Sequence, residues 1–376
     1  MFINDSRAFK IAITLLPGIG DINAKRLIAY CGGLEAVFKE NKNNFDKIPG
    51  ISTVLAKKIT KAIQSSELWN RVNEELKFCD AYRIQILSYL DDNYPYRLKH
   101  CEDAPVTIFT LGNIPFNAPQ VLSVVGTRRA THYGRAFCEK IMQDFKANNL
   151  NVLIVSGLAF GIDIAAHKAA LEASLPTVAV IAHGLDQIYP TEHKKYAQKM
   201  LDNGGIITDF ISKTPPDKGN FVKRNRIIAG MSDATLVVES KRDGGAMITA
   251  EMAFSYNRDV LALPGKINDA FSEGPNFLIK SNKAALVESA EDICKVLGWT
   301  YKVKTEQPNI PLVFELNDEE KKIIEILKDK GDATIDLIAL AADMPVSKVS
   351  VLLLNMEFNG LIKSLPGKVY SLAIKL

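Results

Sequence analysis

The 376-residue sequence predicts an α/β protein: a doubly wound, mostly parallel sheet, preceded by a small all-helical segment and followed by a compact helical tail. Three observations carry that expectation. Between residues 83 and 298, short β-branched runs that are apolar on both faces alternate with helical patterns, as in parallel strands covered on both sides. The first eighty or so residues are helical and repeat a motif. The segment 316–376 ends in a pattern of three helices and a hairpin.

The helical front, residues 1–82, contains an internal echo. ITLLPGIGDINAKRLI (13–28) and FDKIPGISTVLAKKIT (45–60) share an apolar residue, Pro-Gly-Ile, a small residue, and then Ala with Lys or Arg on a helical period. A turn led by Pro17-Gly18-Ile19-Gly20 or Pro49-Gly50-Ile51-Ser52 opens a helix whose first amides face outward, where a phosphate can bind. The pattern resembles a tandem helix-hairpin-helix or SAM-like module. Ser52 replaces the usual second glycine, so phosphate gripping and plain helix joining both stay open.

In the central segment, 83–298, the strands are VLSVVG (121–126), NVLIVSG (151–157), TVAVIAHG (177–184), GIITDF (205–210), ATLVVES (234–240) and VLALPG (260–265). Helical patterns follow around 132–147, 162–173, 191–202, 221–231 and 246–256. RIQILSY (83–89) and PVTIFTLGN (105–113) extend the sheet. Residues 299–315, with two prolines and little periodicity, are expected to form a linker. In the tail, Asn317 with Glu320 forms a capping pair at the start of the first helix, the third helix ends at Gly360, and LIKSLPGKVYSL closes as a hairpin. Three helices and a wing suggest a winged-helix domain. Lys348 is almost the only cation of its third helix, which favours docking or self-association over DNA reading.

Net charge is only +3, so any nucleic-acid site must be a local cluster. Five scattered cysteines without a Cys-x-x-Cys pair argue for free thiols in a reducing compartment and against structural zinc. The N-terminal residues lack the pattern of an export signal and no run is long enough for a membrane span, so a cytoplasmic protein without membrane contact is expected.

In a parallel doubly wound sheet, ligands bind along the edge where strands end at their carboxyl termini. The strand-end loops there carry Gly126-Thr127-Arg128-Arg129, Ser156-Gly157 with Phe160-Gly161, His183-Gly184, and a run from Glu239 to Ala246 containing Gly244-Gly245. Glycines at such positions either make tight turns or let amides approach an anion at a helix N-terminus. The helix FVKRNRIIAG adds a cation that is hard to place. Lys223 and Arg226 share a side with Gly230 and are expected to be solvated, whereas Arg224 falls between Ile227, Ile228 and Met231 on the buried face. A guanidinium there needs an anion, either an internal carboxylate or a phosphate. Phe160 and Phe221 lie beside these segments as candidates for stacking on bases of a single strand, or as core residues.

Catalytic patterns are thin. His100, His132, His167, His183 and His193 make no metal-binding spacing, Ser156 lacks the Gly-x-Ser-x-Gly setting, and Asp163 and Glu251 are lone acids. No cofactor or metal is expected.

VVGTRRATHYG, IVSGLAFGIDIAAHKAAL, VIAHGLDQIYPTEH, FVKRNRIIAGMSDATLVVES, GGAMITAEMAFSYNRDVLALPG and GPNFLI, in this order, resemble the DNA-processing protein A family, also called Smf, across residues 83–298. The resemblance implies an extended Rossmann-like sheet and a homodimer that binds incoming single-stranded DNA during natural transformation and loads the RecA recombinase onto it. It implies no enzymatic activity. It implies a DNA-binding pocket of Gly126, Arg128, Ser156, Gly157, Phe160, Phe221, Lys223, Arg224, Asn225 and Arg226, to which the strand-end loops add Thr127, Arg129, Gly161, Gly244 and Gly245. The competing enzyme reading is a LOG-type nucleotide phosphoribohydrolase, since GGAMITAE (244–251) lines up with part of that motif and puts Glu251 on its catalytic acid. Met247 and Ile248 replace the Gly-Thr that would close on a phosphate.

Overall fold

The computed structural model describes residues 5–39, 45–301, 316–365 and 368–373. Part of the expected linker, 302–315, and the turn of the expected terminal hairpin, 366–367, lie outside them. The chain forms two compact units, 1–303 and 304–376.

The first unit opens with α1 (Arg7–Thr14), α2 (Asp21–Cys31), α3 (Leu34–Lys39), α4 (Thr53–Gln64) and α5 (Ser66–Tyr82). Both Pro-Gly-Ile turns use their glycine in the left-handed region, Gly18 at φ 70° and Gly50 at φ 88°, which explains the repeated dipeptide. The two helices that follow differ at their starts. Ser52 caps α4 by accepting from the Leu55 N–H at 3.2 Å. Asp21, the first residue of α2, instead accepts from the Val106 N–H at 2.8 Å, which ties this helix start to the chain just ahead of the sheet. The helical front shares a core with the sheet, where Ala8, Ile11 and Val72 pack with Ile84, Ile86 and Phe109.

The chain continues through β1 (Gln85–Ser88), α6 (Tyr96–Lys99), β2 (Thr107–Leu111), β3 (Val121–Val125), α7 (His132–Ala147), β4 (Leu153–Ser156) and α8 (Ile162–Glu172). Next come β5 (Thr177–Val180), α9 (Lys194–Met200), β6 (Gly204–Thr208), α10 (Lys218–Gly230), β7 (Ala234–Val237) and α11 (Gly245–Ser255). β8 (Asp259–Ala262), α12 (Glu273–Lys280), β9 (Ala285–Leu286) and α13 (Ala290–Leu297) complete the unit. Among the described residues the sheet runs β1-β2-β6-β5-β4-β3-β7-β8-β9. β1 and β2 are joined antiparallel at one edge and the strands from β6 to β9 are parallel.

Alternation along β3 shows how the two faces are filled. Leu122 and Val124 pack with α7 and α8, while Val121 and Val125 pack with α10 and α11. Strand order reverses at β3, whose neighbours β4 and β7 belong to the two halves of the winding. That reversal opens a crevice above the carboxyl ends of β3 and β7.

The second unit holds α14 (Asp318–Lys330), β10 (Ala333–Thr334), α15 (Ile335–Ala342), α16 (Val346–Phe358), β11 (Ile362–Leu365) and β12 (Val369–Leu372). Asn317 and Glu320 form the expected reciprocal cap on α14. The exposed ammonium of Lys348 on α16 pairs with the Glu319 carboxylate. No single helix among the described residues is long and apolar enough to cross a membrane.

Candidate nucleic-acid interface

A cleft of about 760 Å³ lies at the β3/β7 reversal. It gathers Gly126, Thr127, Arg128 and Arg129 from the loop after β3, Phe221, Arg224 and Asn225 from α10, and Gly244 and Gly245 from the start of α11. Nine of the residues singled out in the sequence therefore meet on one surface. Backbone bonds hold the first loop in place. Thr127 N–H donates to the Glu239 carbonyl at 2.6 Å, and the Thr127 carbonyl accepts from Ile162 N–H at 3.1 Å.

Two arginines share one ring. The guanidinium carbons of Arg128 and Arg224 lie 5.3 Å and 5.9 Å from the centre of Phe221, with Arg128 exposed and Arg224 buried. Attraction to the ring offsets part of the repulsion between the cations and leaves the exposed one free to meet solvent or ligand. Arg129 is exposed beside it.

Arg224 is 3% exposed, as its place on the apolar face of α10 required. Its Nη1 donates to the Val180 carbonyl, and its Nε has no partner among the described residues. Asp163 is the acidic neighbour, yet the two form no ion pair within 4 Å; the Asp163 carboxylate accepts from the Ala159 N–H at 3.3 Å. Burial pushes the Arg224 pKa down to about 10, against the pull of Asp163. Burial likewise raises the Asp163 pKa, opposed by Arg224. The guanidinium stays protonated at neutral pH, and its unpartnered Nε is buried behind the cleft lining.

Several glycines act by leaving room. A Cβ on Gly157 would collide with the Arg224 guanidinium and the Asp163 carboxylate, and one on Gly161, at φ 80°, would strike the loop carrying Thr127 and Arg128. These two set the packing of the cleft floor and do not line it. A Cβ on Gly245 would meet nothing, so its place at the first turn of α11 is open to a ligand.

Three expectations for side chains change. Ser156 is buried and donates from Oγ to the Val124 carbonyl at 2.6 Å, which ties β4 to β3 and keeps it from the cleft. Phe160 is 43% exposed but sits outside the cleft, edge-on to His193 at 4.9 Å. Arg226 is mostly withdrawn from solvent, because its guanidinium bridges α10 to carboxylates of the helical front and the sheet. Its Nη2 pairs with Asp209 at 2.6 Å and Asp21 at 3.0 Å, and Nη1 donates to the Asp103 carbonyl. Burial works against this charge, but Asp209 and Asp21 outweigh it and hold the pKa above the ordinary arginine value. Arg226 and the exposed Lys223 line a second hollow of about 770 Å³ with Gly20, Asp21 and Arg26.

Cleft residues not selected from sequence include Lys218, Lys241 and Phe271. Lys241 belongs to the strand-end run already noted, so its signal was present. Phe271 had none: its loop is brought over by a bond from Ser240 N–H to the Phe271 carbonyl at 2.7 Å. Five cations (Arg128, Arg129, Lys218, Arg224 and Lys241) face two acids, Asp163 and Asp243, so the cleft has a positive field. Glu251, the acid of the phosphoribohydrolase reading, is exposed, pairs with Lys283 at 2.8 Å and does not line the cleft. That reading lacks its catalytic group at the site.

The family described as DNA recombination-mediator protein A matches residues 85–298, and the DprA winged helix domain matches 307–368. The chain belongs to this family. It is 35% identical to Protein Smf of Escherichia coli over 82% of this chain and 80% of that protein. It is 41% identical to DNA processing protein DprA of Streptococcus pneumoniae over 55% of this chain and 72% of that one. The X-ray structure of the S. pneumoniae protein aligns with a TM-score of 0.68 at 31% identity, covering 78% of this chain and 98% of that one. A structure of the Helicobacter pylori protein, described by its single-stranded DNA binding mode, aligns with a TM-score of 0.52 at 27% identity, covering 58% and 98%. The Rossmann-like sheet and the winged-helix tail are thus those of the family.

Proposed function

We propose that the cleft at the β3/β7 reversal holds the backbone of single-stranded DNA, and that the protein processes incoming DNA in natural transformation as a non-catalytic binding protein. One observation carries the proposal: Arg128 and Arg224 flank Phe221, and Arg129 and the start of α11 line the same cleft, which holds more cations than acids. Phosphates meet the guanidinium groups and helix amides, and a base meets the ring. Duplex DNA cannot offer an unstacked base to Phe221, so single strands are favoured. The single-strand binding of the H. pylori relative supports this reading. Within it, the protein acts in the cytoplasm as a homodimer that hands its strand to the RecA recombinase.

Fluorescence anisotropy with single-stranded and duplex oligonucleotides of equal length tests the site. Tight, salt-sensitive binding of the single strand, weakened in Arg128→Ala and Arg129→Ala, is expected. Equal affinity for both forms, or unchanged binding in both variants, would remove the cleft from the interface.

A further inference from the structure

We infer that a strand held in the cleft leaves it over a second, aromatic and cationic track formed by Tyr189, Phe160, Tyr196, Lys168 and Lys195. The inference rests on the reading of the cleft as a single-strand site.

The track begins at the cleft. The ring of Tyr189, 46% exposed, lies 6.1 Å from that of Phe221, which the two arginines flank. Phe160, also exposed, follows the cleft residue Ala159 and rests on His193, four residues beyond Tyr189. His193 is held from below, its Nδ1 bonded to the Leu158 carbonyl at 2.8 Å, so the exposed ring has a rigid seat. Three residues further, Tyr196 is bracketed by two ammonium groups from different helices. Lys168 of α8 and Lys195 of α9 lie 4.8 Å and 4.9 Å from its ring centre.

Two features separate this surface from ordinary exposed side chains. Exposed rings lead from the cleft to one flanked by two cations, the combination that accepts bases and phosphates of a single strand. Moreover, Lys168 and Lys195 take part in no ion pair with any described acid, unlike Arg226, whose charge is spent inside the fold. Two cations beside one ring with no carboxylate between them can take up an anion, and a phosphodiester is the anion the adjoining cleft would deliver.

Oligothymidylates of two lengths test the track, one of about 6 nucleotides to fill the cleft alone and one of about 20 to run beyond it. For Tyr196→Ala combined with Lys168→Ala and Lys195→Ala, affinity for the longer strand should fall about tenfold and its salt slope by about 1.4, two phosphate contacts' worth, while the shorter is unaffected. Tyr196→Phe should restore the stacking and leave the longer strand's affinity at the parent value. Equal losses on both lengths, or none on the longer, would overturn the track while leaving the cleft intact. Failure of the unaltered protein to bind either length would overturn the cleft, and the track with it. Circular dichroism of the variants separates unfolding from lost contact.

Discussion

Arg224 and Arg226 stand two residues apart on one helix, yet they meet opposite fates. Arg226 faces the helical front, where Asp209, Asp21 and the Asp103 carbonyl take up its donors. Arg224 faces the sheet's carboxyl edge, where one carbonyl takes Nη1, Nε is left over, and the nearest acid makes no ion pair. Both cations are largely withdrawn from solvent, so burial alone does not mark a site. What separates them is whether the fold supplies the counter-charge.

The largest effect should come from the satisfied arginine. Arg226→Ala leaves the buried Asp209 carboxylate without its cation, and denaturant unfolding should show a loss of about 3–5 kcal/mol. DNA affinity of the folded variant should hold. If stability is unaffected, the two arginines do not differ as described.

Gly157→Ala acts on the other side of the comparison. A methyl there invades the space of the Arg224 guanidinium, so the expected cost is about 1–3 kcal/mol of stability together with weaker single-strand binding. Weaker stability with full binding would mean that Arg224 serves the fold only. A smaller effect is expected at the surface: Arg128→Ala should leave the melting temperature unchanged and reduce the salt slope of single-strand binding by about 0.7. The smallest belongs to the tail. Lys348→Ala removes an exposed pair worth about 0–1 kcal/mol and should not alter DNA affinity. A loss there matching that of Arg128→Ala would bring α16 into the interface.

Much of the fold was legible because local patterns and long-range order agree. Runs such as VLSVVG and NVLIVSG are apolar on both faces, and only a sheet covered by helices on two sides can bury them. The site was legible to the extent that strand-end loops must share an edge, which is why Arg128, Arg129, Phe221 and Gly245 were found together. Ser156 misled because a hydroxyl at a strand end looks identical in sequence whether it faces a cleft or, as here, the Val124 carbonyl.

By itself the sequence determined the order of strands and helices, the glycine turns and the family, since these depend on neighbours a few residues apart and on spacing along the chain. Tertiary structure alone decided which charges remained available. Asp21 and Arg226 stand 205 residues apart in sequence and lie 3.0 Å apart in space. Coulomb attraction depends on distance in space, and only the folded arrangement of the helical front beside α10 brings that distance into range.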